Sequence, residues 1–179
     1  MVKSLAPIVI VAALAGSASA GTYVGLGIGK PNVSDDGNDE YATSGRSHRV
    51  MLGTRFGRIS VEAAYTGYDV VPDGGPGPVD SRSLSAALKL NLPLGNDFEA
   101  FARGGVLHTW IGESGASMGM SGNGYTFSGG FEYGLDLGLA RAALFVDYTR
   151  NLVELSSDDD MRVLDQTASQ WTLGFAVFL

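Results

Sequence analysis

Six charged side chains stand alone among small and apolar neighbours: Glu62 in VEAAY, Lys89 in LKLNL, Arg103 in FARGG, Glu132 in GFEYG, Arg141 in LARAA and Asp147 in FVDYT. An ionised group in such company is stable only when it is paired, because a charge stripped of water is expensive to hold. The chemistry expected of this set is therefore ion pairing in a dry interior. The competing use is acid–base catalysis, which needs a nucleophile beside a base, for instance a histidine and a serine two residues apart on one strand face. His108 has Trp110 at that spacing and His48 has Val50, so no catalytic residue is assigned. The acidic runs, from Asp35 to Glu40 and from Asp158 to Asp160, do not fit a calcium-loop pattern, because Gly37 falls too early in its run. The chain has no cysteine and so no thiolate ligand, and neither a metal nor a cofactor is expected.

The elements that must position these charges are strands. From Tyr125 onward, Tyr125, Phe127, Phe131, Tyr133 and Leu135 alternate with Thr126, Ser128, Gly130, Glu132 and Gly134. A period of two describes a strand whose faces meet different surroundings. After a break at 136–138 the alternation resumes, with Ala140, Ala142, Leu144, Val146 and Tyr148 on one face and Arg141, Ala143, Phe145, Asp147 and Thr149 on the other. These two strands form a long hairpin. The same alternation marks strands over 21–29, 48–56, 59–68, 81–92, 98–110 and 169–179, which brings the total to eight. Short connections at 57–58, 93–97 and 136–138 alternate with long loops expected over 31–47, 69–80, 112–122 and 151–168.

The polar faces are mostly Gly, Ser, Thr and Ala with a few charges, so they line a crowded interior rather than face water. The bulky faces are free of charge. Apolar outward, polar inward, with long and short connections alternating, predicts an all-β fold: an eight-stranded antiparallel up-and-down transmembrane β-barrel. A cation on the lipid face at mid-membrane costs about 2–4 kcal/mol. The predicted parity keeps Arg49, Arg55, Glu62, Lys89, Glu99, Arg103, Glu132, Arg141 and Asp147 inside. It also places Trp110, Tyr125, Tyr148 and Trp171 toward the outer ends of their strands and Phe56, Phe98 and Tyr133 toward the inner ends, as two interfacial girdles.

The totals agree with this picture. The chain has 179 residues, a net charge of −7 and 26 glycines, about one residue in seven, a surplus that favours turns and tight interiors over helices. An acidic chain offers no footprint for nucleic acid. Lys3, an apolar run from Leu5 to Ala15, and Ser17-Ala18-Ser19-Ala20 read as a cleaved signal peptide over 1–20, with the barrel domain over 21–179. Export to the periplasm and insertion in a Gram-negative outer membrane follow as expectations.

The chain resembles the eight-stranded transmembrane domain of outer-membrane protein A and its small relatives. The resemblance rests on VEAAY (61–65), LKLNLPL (88–94), AFARGG (100–105), GFEYGL (130–135), VDY (146–148) and LGFAV (173–177), taken as an ordered set. It implies an exchangeable salt-bridge gate in which Glu62, Lys89 and Glu132 would meet an arginine on the seventh strand. Phe145 stands at that arginine's place, which leaves Arg103 or Arg141 to supply the cation. It also implies recognition of the last strand by the barrel assembly machinery, here in modified form, because Leu179 ends the chain and Phe178 points inward. The peptidoglycan-binding domain of larger relatives is not implied. The expected protein is a non-enzymatic monomer with a structural or surface-interacting role, surrounded by outer-membrane lipid and lipopolysaccharide. An extracellular partner would meet loops 31–47 and 151–168. A narrow gated channel is the alternative, and a lipid A-modifying enzyme the second.

Overall fold

The computed structural model describes residues 21–35, 40–41, 44–71, 79–113, 120–138, 140–157 and 163–179. The expected signal peptide lies outside them. The strands are β1 (Gly21–Asp35), β2 (Glu40–Tyr41), β3 (Ser44–Phe56), β4 (Ile59–Val71), β5 (Val79–Gly95), β6 (Phe98–Glu113), β7 (Met120–Asp136), β8 (Arg141–Ser157) and β9 (Val163–Phe178). Each pairs antiparallel with its neighbour, and β1 also pairs with β9, which closes the sheet on itself. The wall is therefore the eight long strands, with β2 a two-residue addition against Val33 and Ser34 of β1.

Closure can be followed residue by residue. Gly25 faces Met51, then Ala64, Ser85, Leu107, Gly124, Val153 and Gln166, and Gln166 faces Asp35. One circuit thus returns to β1 ten residues further along (35 − 25). An even stagger lets each side chain keep its face around the whole circuit. Ten residues over eight strands incline the strands by about 40° to the barrel axis, within the range of small barrels.

The alternation places apolar residues outside. Ile28, Leu88, Val106, Tyr125, Trp171 and Leu173 are each more than half exposed on the outer wall, where lipid rather than water is the solvent. The predicted girdle residues Trp110, Tyr125, Tyr148, Trp171, Phe56, Phe98 and Tyr133 are all on this outer wall. Inside, Tyr23, Met51, Phe101, Phe145 and Ala176 form an apolar cluster, and Leu107, Val153 and Leu155 form a second one nearer the extracellular end.

Three short turns close the periplasmic end. Gly57, at φ 61°, occupies a left-handed position between β3 and β4, the geometry that two-residue hairpins favour because it matches strand twist. Asn96 and Asp97 take the same region between β5 and β6.

The long connections are a correction to the sequence reading. Much of 31–47, 69–80, 112–122 and 151–168 is strand, because the ladders continue beyond the apolar stretch. β7 and β8 pair up to Met120 with Ser157, and β4 and β5 up to Val70 with Val79. What remains of those loops, 36–39, 42–43, 72–78, 114–119 and 158–162, lies outside the described residues. Glycine, serine and aspartate weaken local strand preference, but a partner strand already in register overrides that preference. The β1–β3 ladder ends at Gly29 with Ser47, just before Pro31, which has no N–H to donate. If that register continued, Val33 would face Thr43. It faces Tyr41 instead, so the register differs by two residues between the two ladders.

Candidate functional site

The barrel interior holds one continuous chain of eight alternating charges. From the extracellular side it runs Arg49, Asp147, Arg103, Glu62, Lys89, Glu132, Arg55 and Glu99, four cations and four carboxylates. The N–O separations along it are 3.0, 3.0, 2.5, 3.8, 2.5, 3.4 and 2.8 Å in that order. Six strands carry the chain, β3 and β6 contributing two groups each and β4, β5, β7 and β8 one each.

The strand register explains why the chain crosses the lumen instead of running along the wall. Lys89 lies directly opposite Arg103 in the β5–β6 ladder, and Glu99 directly opposite Glu132 in the β6–β7 ladder. Like charges so placed repel. Each like pair is bridged by an opposite charge from elsewhere: Glu62 of β4 joins Lys89 and Arg103, and Arg55 of β3 joins Glu99 and Glu132. Arg49 of β3 reaches across to Asp147 of β8. Neighbouring strands thus repel at these positions and the charges tie opposite walls together.

Hydrogen bonds complete the set. The Tyr23 hydroxyl donates to Glu62 Oε1. The Asn91 amide donates to Glu99 and to Glu132, both at 3.0 Å. Arg49 donates to Thr149 Oγ1 at 3.1 Å, and Thr149 donates to Asp147 at 3.2 Å. The Phe101 ring lies under both Lys89 Nζ, at 4.4 Å, and the Arg103 guanidinium, at 5.0 Å, a further attraction to the ring face. Asp147 is fully buried and Glu62 and Lys89 nearly so, whereas Arg55 and Glu99 are partly open to the periplasmic mouth.

Of the six charges singled out in the sequence, the structure brings together Glu62, Lys89, Arg103, Glu132 and Asp147. Arg141 is a correction: it is exposed at the periplasmic end, among the lining of a mouth cavity of about 220 Å³, and makes no ion pair among the described residues. Its parity is inward, but its place at the first residue of β8 leaves it below the packed interior. Arg49, Arg55 and Glu99 join the chain instead. Their inward parity was the available signal, but parity gives no depth or partner. Tyr23 had no such signal, standing among the glycines of GTYVGLG.

Phe145, at the place where the resemblance implied an arginine, is buried with its ring against Gly174 and Gly27. The cation for Glu62 comes from Arg103 on β6. Between the charge chain and the aromatic cluster lies a cavity of about 10 Å³, lined by Tyr23, Met51, Lys89, Arg103 and Phe145 among others, room for about one water molecule. His108 Nδ1 lies 2.7 Å from Asn123 Oδ1 and its ring packs edge-on against Trp110, with centroids 4.4 Å apart. No grouping of three or more metal-ligating side chains occurs among the described residues.

The family description "Outer membrane protein beta-barrel domain" matches residues 4–177. Among solved structures, the chain is similar to Neisserial surface protein A, with a TM-score of 0.70 and 16% identity over 88% of this chain and 97% of that one. It is similar to the attachment invasion locus protein Ail of Yersinia pestis, with a TM-score of 0.57 and 12% identity over 89% and 99%. It is also similar to the outer membrane protein AlkL, at 0.58 and 12% over 92% of each chain. No curated protein sequence matches it.

Proposed function

Because the chain belongs to the outer membrane protein β-barrel family and is a barrel of the outer membrane, we propose that it is a closed barrel, silent to ions, with a structural or surface-interacting role. The observation that carries this reading is the charge chain: eight groups with their charges cancelled, packed around a cavity of about 10 Å³. A cavity of that size, at the middle of the charge chain, has no room for a hydrated ion. The strands that continue above the apolar band make the extracellular end the part free to meet other molecules.

A gate would require Lys89 to exchange carboxylates. Lys89 does sit between two, at 2.5 Å from Glu132 and 3.8 Å from Glu62. Against exchange, Glu62 is already paired with Arg103 at 2.5 Å and bonded to Tyr23, so a shift of Lys89 would leave Glu132 with Arg55, at 3.4 Å, as its one cation and gain little. The reading includes no catalytic step, since the His108 ring is engaged by Asn123 and Trp110. The variant Lys89→Met separates the two readings in planar bilayers. A static chain gives the same silent record for wild type and variant, and a change in conductance on losing Lys89 would establish the gate.

A further inference from the structure

From the periplasmic turns upward, the outward faces of the described strands carry no Lys, Arg, Asp or Glu through Leu144, Val146, Leu173, Val24, Leu26 and Leu88. The band ends at four cations, Lys30, Arg46, Arg82 and Arg150, all outward by parity and all exposed. None of them makes an ion pair among the described residues. The barrel's stagger and tilt place the four within about 6 Å of a common height, about 21–27 Å above Phe56 and Phe98. A barrel's lipid-facing band is about 25 Å tall, so these side chains stand where the outer-leaflet headgroups begin.

Two of them flank an aromatic pair. Lys30 lies opposite Trp171 in the β1–β9 ladder, and Trp171 lies opposite Tyr148 in the β8–β9 ladder. The Trp171 and Tyr148 rings are 5.1 Å apart, and Trp171 is 61% exposed. Arg150 is two residues above Tyr148 on the same face, between Phe127 and Ser169. Two cations above a pair of interfacial rings make a patch with apolar contact below and positive charge above.

We infer that Lys30 and Arg150, with Trp171 and Tyr148 beneath them, form a binding site on the outer wall for a phosphorylated glycolipid of the outer leaflet. Its phosphate would sit between the two cations and its acyl chains against the rings. Arg82, opposite Trp110 in the β5–β6 ladder, repeats the same pairing elsewhere on the wall. Each surface cation contributes about 1 kcal/mol toward an anionic lipid, so loss of two weakens binding by about 30-fold.

The test is a titration of the folded barrel in non-ionic detergent, with bound lipid counted by native mass spectrometry. The probes are bis-phosphorylated lipid A, fully dephosphorylated lipid A and inorganic phosphate. The wild type is expected to retain the phosphorylated lipid and neither of the others, and Lys30→Gln/Arg150→Gln to lose about 30-fold in affinity while keeping its unfolding temperature. Equal retention of the dephosphorylated lipid would overturn the site, as would a folded double variant that binds as the wild type does. Capture of inorganic phosphate alone would overturn the lipid assignment. If the double variant does not fold, the comparison of the two lipids on the wild type decides.

Discussion

Arg103 sits in the middle of the charge chain with Glu62 on one side and Asp147 on the other, so its removal takes a close cation from two buried carboxylates at once, leaving Asp147 to Arg49 and Glu62 to the more distant Lys89. Breaking a buried pair costs about 3–5 kcal/mol, and Arg103→Met is expected to lose at least that much in a urea unfolding titration. Glu99 is the end of the chain and partly exposed, and its partner Arg55 keeps Glu132. Glu99→Gln should therefore cost about 1 kcal/mol or less, the scale of a solvent-screened pair. Equal losses for the two variants would mean that the pairs do not act as a chain. At this scale the sequence was partly legible. Isolation among small residues marked Glu62, Lys89, Arg103, Glu132 and Asp147 as interior charges, but their pairing depends on strand register, which no local pattern specifies. That is why the role of Arg49 and the exclusion of Arg141 emerge only from the three-dimensional arrangement.

At the scale of elements, the alternation of two located all eight wall strands and their faces, since lipid outside and a packed interior leave no tolerance for a one-residue slip. Strand length was not legible, because above the apolar band the outward side chains turn polar and the periodic signal fades while the ladder continues. Amide hydrogen exchange tests this extension: Gly122, Val153 and Leu155, all within paired positions of β7 and β8, should exchange slowly, as the mid-barrel amides do. Fast exchange there would restore the loops read from sequence. Packing inside the wall gives a second prediction. A Cβ at Gly174 would press on the Phe145 ring and on the Leu26 backbone oxygen, and backbone cannot yield cheaply. Gly174→Ala is therefore expected to destabilise by about 1–3 kcal/mol, the cost of overpacking. If its urea midpoint equals that of the wild type, Phe145 does not fill the space over β9 as described.

At the scale of the whole molecule, closure of β1 on β9 leaves the wall no open edge, and the charge chain ties opposite sides of that wall together. A closed barrel of this kind resists detergent until heated, so the unheated protein should migrate differently on a gel from the boiled protein. Identical migration would count against a closed wall. The central claim is that this interior is filled. Single-channel recording of the wild-type protein in planar bilayers addresses it most directly: the charge chain predicts a baseline without conductance steps, and reproducible steps from the purified protein would contradict it.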